Sequence, residues 1–192
     1  MSTQTRKYEL KARAESQRET RDRIARAAAE LHEEKGVAHT TVAEIARQAG
    51  VTRLTVYNHF ATLGDLLPAC AAHYATLHPA PDFATALALE DPAERAGTAL
   101  AQLYAWYRET EPMVGKLYSD RASVPELDRF MEQDIDRIPA GLADALQAPV
   151  AAGDRLRALI RLAVDFWTWR RLTREGLDDE AAAEVMAGAI AK

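Results

Sequence analysis

From Thr52 to Phe60 the chain reads T-R-L-T-V-Y-N-H-F. With Val56 and Phe60 assigned to a core, Arg53, Leu54, Thr55, Tyr57, Asn58 and His59 remain outward. No Asp or Glu occurs from Gly50 to Phe60, so nothing in this stretch repels an anion. These side chains suit the edges of base pairs. An arginine can take guanine O6 and N7 together, an asparagine can read adenine, and a threonine or leucine can meet a thymine methyl. Tyr57 and His59 suit phosphate oxygens. So do Thr41 and Thr52, as hydroxyl caps at helix N-termini.

Short helices must hold that surface. Thr41-Val-Ala-Glu44 forms a capping box, in which the hydroxyl accepts from an orphan N–H and the glutamate reaches back. Val42, Ile45, Ala46 and Ala49 follow on one face. Gly50 ends that helix at a turn that needs positive φ, and Thr52 caps the next helix. Ala46 is small where the two helices cross. Upstream, Ile24, Ala27, Ala28 and Leu31 recur at helical spacing, and Gly36 stops the run. Ser16-Gln-Arg-Glu19 or Thr20 is the predicted start of that first helix. Residues 20–62 thus predict a trihelical helix-turn-helix unit.

The stretch I24-x-x-A-A-x-x-L31, G36, T40-T41-V-A-E-I-A-x-x-A-G-V51, T52-x-x-T-V-Y57-N-H-F60 closely resembles the TetR family of regulators. The resemblance implies a homodimer on a pseudo-palindromic operator, a small-molecule pocket in each body, and dimerisation through the last two helices. It casts Thr41, Thr52, Tyr57 and His59 as phosphate contacts, Arg53, Leu54, Thr55 and Asn58 as base readers, and Thr40 as a further DNA-binding residue. Two positions depart from the family pattern. Leu63 stands at the start of the fourth helix, where members usually carry a phosphate-binding lysine. Leu54 stands where many members have a small residue.

Charge is distributed to match. Of the 192 residues, 1–60 hold 11 Lys/Arg and 8 Asp/Glu (+3), and 61–192 hold 13 and 21 (−8), giving the net −5. A basic front on an acidic body touches phosphate with one end only. The single Cys70 excludes an internal disulfide. The polar N-terminus and the lack of a long apolar run predict a cytoplasmic protein without a membrane span. Cys70, His73 and His78 offer metal-ligand types but no evident fourth partner, so no metal or cofactor is expected. No G-x-G-x-x-G, P-loop, H-E-x-x-H or nucleophile elbow occurs, which argues against an enzyme.

Nothing reads as a strand. The expected fold is all-α, with nine or ten helices: a basic arm over 1–19, the helix-turn-helix head over 20–62, and a ligand-binding and dimerisation body over 63–192. Asp91-Pro-Ala-Glu94 opens a helix that Pro112 is expected to end, with a short helix from Met113 to Ser119. Ser123 opens another towards Leu146, kinked at Pro139. Asp154 opens a long one through Trp167 to Arg174, and Asp178 the last. Tyr104, Trp106, Tyr107, Met113, Tyr118, Phe166 and Trp169 predict a pocket for an apolar or aromatic effector, although any one of them could instead be core. Leu156, Ile160, Val164, Trp167, Val185, Met186 and Ala189 predict a dimer face. Together these features predict a ligand-released repressor on double-stranded operator DNA. The alternative is a sensor or interaction protein of the same fold that has lost operator binding.

Overall fold

The computed structural model describes residues 3–148 and 153–191. They form α1 (Thr3–Lys35), α2 (Val42–Ala49), α3 (Arg53–His59), α4 (Leu63–Leu77), α5 (Ala84–Leu87), α6 (Pro92–Asp120), α7 (Pro125–Phe130), a π-helical turn (Met131–Ile135), α8 (Arg137–Gln147), α9 (Asp154–Ala163), α10 (Phe166–Arg174) and α11 (Asp179–Ile190). Among the described residues there is no strand, and no helix is long and apolar enough to cross a membrane. Two compact units result. The first comprises residues 1–77 and 115–130, the second 78–114 and 131–192.

In the first unit α1 packs on α2 and α4. Ile24, Ala28 and Leu31 supply the α1 stripe, and Ile45, Ala46, Val56, Phe60 and Leu66 close the core around it. Cys70 is buried in that core, and burial pushes its thiol up to about 12. The thiolate is therefore scarce at neutral pH. Native protein is expected to resist a thiol-alkylating reagent that labels the unfolded chain at once; rapid labelling of native protein would contradict this burial.

The first helix starts far earlier than either predicted cap. Ser16 and Thr20 lie in its interior, and the Thr20 hydroxyl donates to the Ser16 carbonyl at 2.9 Å. A threonine that bonds back to residue i−4 rides inside a helix rather than capping one. The end at Gly36 is as expected, with φ +90° and its N–H on the His32 carbonyl at 2.9 Å. A Cβ there would also collide with the Asp120 carboxylate, whose Oδ2 accepts from the Ala38 N–H at 3.0 Å.

His32 is buried beside this turn, and desolvation holds its pKa down to about 4, only partly opposed by Asp120. Because the folded value lies below the ordinary 6.5, its contribution is complete above pH 6.5 and is lost as pH falls towards 4. Over that window the loss is roughly 3 kcal/mol. Denaturant unfolding across the window is expected to show this fall, and His32→Gln to flatten it. Equal slopes would remove His32 from the acid response. Glu44 acts lower down. Hydrogen bonds from Lys35 and Thr41 lower its carboxyl to about 2, so its contribution fades only as pH drops below 4.5.

The second unit departs from the expected helix boundaries in three places. Pro112 does not end α6, which runs through it to Asp120 and gives up one N–H. The predicted helix from Ser123 to Leu146 breaks at Asp136, where the Asp136 N–H reaches the Met131 carbonyl at 2.9 Å and closes a π turn. Pro139 then falls in the first turn of α8, where its missing N–H would be an orphan anyway. The predicted long helix from Asp154 divides at Val164-Asp165. Asp165 caps α10 by accepting from the Thr168 N–H at 2.9 Å. The carbonyls freed at the break receive hydroxyls: Tyr104 Oη donates to Ala163 at 2.6 Å and Tyr107 Oη to Val164 at 2.7 Å. Those two bonds satisfy groups that burial would otherwise leave unpaired.

Candidate nucleic-acid interface

The capping box forms as the sequence predicts. The Glu44 N–H donates to Thr41 Oγ1 at 3.3 Å and the Thr41 N–H to Glu44 Oε2 at 3.0 Å. Lys35 Nζ grips the other Glu44 oxygen at 2.5 Å, tying the end of α1 to the start of α2. Gly50 takes φ +66°, and the Val51 N–H returns to the Ala46 carbonyl at 2.9 Å. Thr52 then accepts from the Thr55 N–H at 3.1 Å and opens α3. One helix end, one left-handed glycine and one new cap set the crossing of α2 and α3.

Val56 and Phe60 point into the core, so the rest of α3 turns outward. Leu54 is 68% exposed and Tyr57 53%. Thr41, Thr52, Arg53 and Asn58 are exposed, while Thr40, Thr55 and His59 are half-buried. The Thr40 hydroxyl donates to the Gly36 carbonyl at 2.7 Å, which leaves its lone pairs to accept. Eight of the nine predicted residues therefore lie along α3 or at the N-caps of α2 and α3, and Thr40 immediately precedes the Thr41 cap. Leu63, at the start of α4, is half-buried and uncharged. The Thr62-Asp65 capping box beside it forms with bonds of 3.0 and 3.2 Å.

Sequence reasoning missed the contribution of α1. Arg21 donates to the His59 carbonyl at 2.6 Å, and its guanidinium lies 4.0 Å from the Phe60 ring centroid. It clamps the end of α3 from a position 38 residues upstream. The basic front end hinted at such a part, but a single long-range bond leaves no periodic trace.

The residues predicted to bind an effector divide. Tyr104, Tyr107, Met113, Phe166 and Trp169 are buried in the second unit. Tyr107 packs against Phe166 at 5.3 Å and Trp169 at 5.7 Å, and Trp169 Nε1 donates to Asp179 at 2.9 Å. Their polar atoms are thus committed to the fold. Trp106 is half-buried and lines a groove of about 330 Å³ with Gln102, Glu109, Asp82 and Pro81. Tyr118 belongs to the first unit, where Arg121 lies over its ring at 5.6 Å. Of the predicted dimer residues, Ile160, Val164 and Met186 are core, Leu156 and Ala189 are half-buried, and Trp167 (43%) and Val185 (52%) are exposed. Among the described residues no three His, Cys, Asp or Glu side chains converge as a metal-ligand set.

Residues 24–70 match the model of the family described as bacterial regulatory proteins, tetR family. A search of curated proteins finds no match. Solved structures resemble the chain over most of its length. PfmR, a TetR family transcriptional regulator from Thermus thermophilus, is 22% identical with a TM-score of 0.57, covering 87% of this chain and 96% of its own. The multidrug binding protein EbrR, solved with imidazole, is 25% identical with a TM-score of 0.58, covering 88% and 93%. RolR, solved with resorcinol, is 24% identical with a TM-score of 0.50, covering 93% and 88%. The head matches the family model, and the whole helical chain follows the fold of a family regulator. Residues 24–70 thus match the head of the tetR family of bacterial regulatory proteins, and the chain around them shares the fold of the solved regulators.

Proposed function

We propose that the protein is a repressor that binds a pseudo-palindromic operator as a homodimer and is released by a small molecule. The observation that carries this reading is the outward face of α3, exposed and free of carboxylates. It combines base-reading and phosphate-binding groups on one short helix that a capped turn holds rigidly. Selection of bound sites from random DNA tests it. The expected result is an enriched pair of inverted half-sites, spaced by about one helical turn or a multiple of it. No enrichment at moderate salt without effector would overturn the reading.

Dimerisation is proposed through the last helices, where Leu162 (52%), Trp167 (43%) and Val185 (52%) are exposed. Large apolar groups left in water favour a partner surface. Trp167→Glu is expected to convert a dimer to a monomer in size-exclusion chromatography with light scattering. A dimer unchanged by that charge would place the interface elsewhere.

The effector is proposed to be a small aromatic compound, like the imidazole and resorcinol found with two related structures. The buried aromatics of the second unit are already satisfied, so the half-buried Trp106 and its groove are the proposed contact. Release then follows from population shift: the effector must bind better to a state whose recognition helices no longer match successive major grooves.

A further inference from the structure

The long α1 does more than support the head. Its residues Ala14, Gln17, Arg18 and Arg21 fall at spacings of three and four, so they share one face of the helix. That face stands across a slot of about 550 Å³ from Thr55, Asn58 and His59, which cluster at helical spacing on α3. Two helical stripes therefore line one opening. The lining has two guanidinium groups, two side-chain amides, a hydroxyl and an imidazole, and no carboxylate. Such a lining suits an anion.

The two arginines differ in state. Arg21 is held by the His59 carbonyl at 2.6 Å and by the Phe60 ring. Arg18, one turn earlier, is exposed and among the described residues has no ion pair or hydrogen bond. A cation that is positioned but unpaired, beside the helix that faces DNA, is available for a phosphate.

We infer that this slot is a phosphate-binding site for one phosphodiester of the DNA backbone, with Arg18 as its principal ligand. The inference rests on the DNA-binding reading above. It extends the DNA contact onto α1 upstream of the family-matched residues 24–70. Arg21 serves as the clamp that fixes the distance between the two stripes.

The test measures affinity against salt for the full-length protein, by fluorescence anisotropy on two duplexes. One is of random sequence and the other is the site recovered by selection. Wild type is expected to bind both with a linear dependence of log affinity on log salt. Arg18→Ala is expected to make that slope shallower by about 0.9 for each protomer engaged, on both duplexes alike. Arg18→Lys is expected to restore most of the slope, since a phosphate takes either cation. Arg23→Ala removes the same charge from another face of α1 and is expected to leave the slope unchanged.

An unchanged slope in Arg18→Ala would overturn the slot. Equal flattening by Arg23→Ala would overturn it too, since the effect would then be net charge rather than a site. If the selected site is still bound with full dependence on Arg53, only the slot is lost. If wild type binds neither duplex, the DNA-binding reading falls with it. Thermal unfolding of each variant at the wild-type temperature excludes a folding artefact, because both arginines are exposed.

Discussion

Arg53→Ala is expected to reduce the preference for a selected site over random duplex by roughly 5- to 150-fold per half-site, equivalent to about 1–3 kcal/mol for a lost bidentate base contact. A dimer carries two such residues, so the loss compounds and a specific gel shift disappears at moderate salt. Arg53 is the first residue of α3 and fully outward, and no intramolecular bond among the described residues holds it. Its removal therefore leaves the head folded. Tyr57→Phe provides the contrast. Loss of one hydroxyl from an exposed ring is expected to weaken binding to all sequences about equally, because a phosphate contact carries no sequence information. If Arg53→Ala instead keeps full selectivity, α3 is not the reading element. The sensor that has lost operator binding then becomes the better description.

The second large effect is on stability. Trp169→Ala is expected to cost about 3–5 kcal/mol, the range for removing a large aromatic from a core. Trp169 is completely buried, packs 5.4 Å from Phe166 and 5.7 Å from Tyr107, and donates to Asp179 at 2.9 Å. Asp179 also receives Arg108 at 2.8 Å, so the indole helps hold an ion pair in place. A chain of this size is expected to lose roughly 6–20 °C in melting temperature. Tyr107→Phe should cost less, about 1–3 kcal/mol, by leaving the Val164 carbonyl unpaired in the interior. Were these residues the walls of an effector pocket, their removal would barely change the melting temperature and would mainly weaken effector binding. Melting curves of the two variants therefore separate core from pocket.

Local chemistry made the head legible. The Thr41-Glu44 box, the Gly50 turn and the Thr52 cap each act within five residues, so residue type and spacing suffice to place them. The Asp91, Asp165 and Asp178 caps act over the same range. The first and last of these are legible, yet Asp165 hides inside a continuous apolar pattern. Periodicity hides that break, because Trp167 continues the stripe of Ile160, Ala163 and Val164, whereas the structure buries Phe166 and Trp169 and exposes Trp167. Its cause lies elsewhere in the chain, in the Tyr104 and Tyr107 hydroxyls that cap the freed carbonyls. Pro112 misled in the opposite sense: a single lost N–H is tolerated where the surrounding helix is held by packing.

By itself, then, the sequence determined an all-helical chain, the position of the helix-turn-helix and the residues on its outward face. Those follow from interactions between near neighbours. Tertiary structure alone decided which aromatics are core, where α9 and α10 part, and how α1 meets α3. Each depends on side chains dozens of residues apart. The Arg21 bond to His59 spans 38 positions, and the slot it braces exists only once both helices are in place.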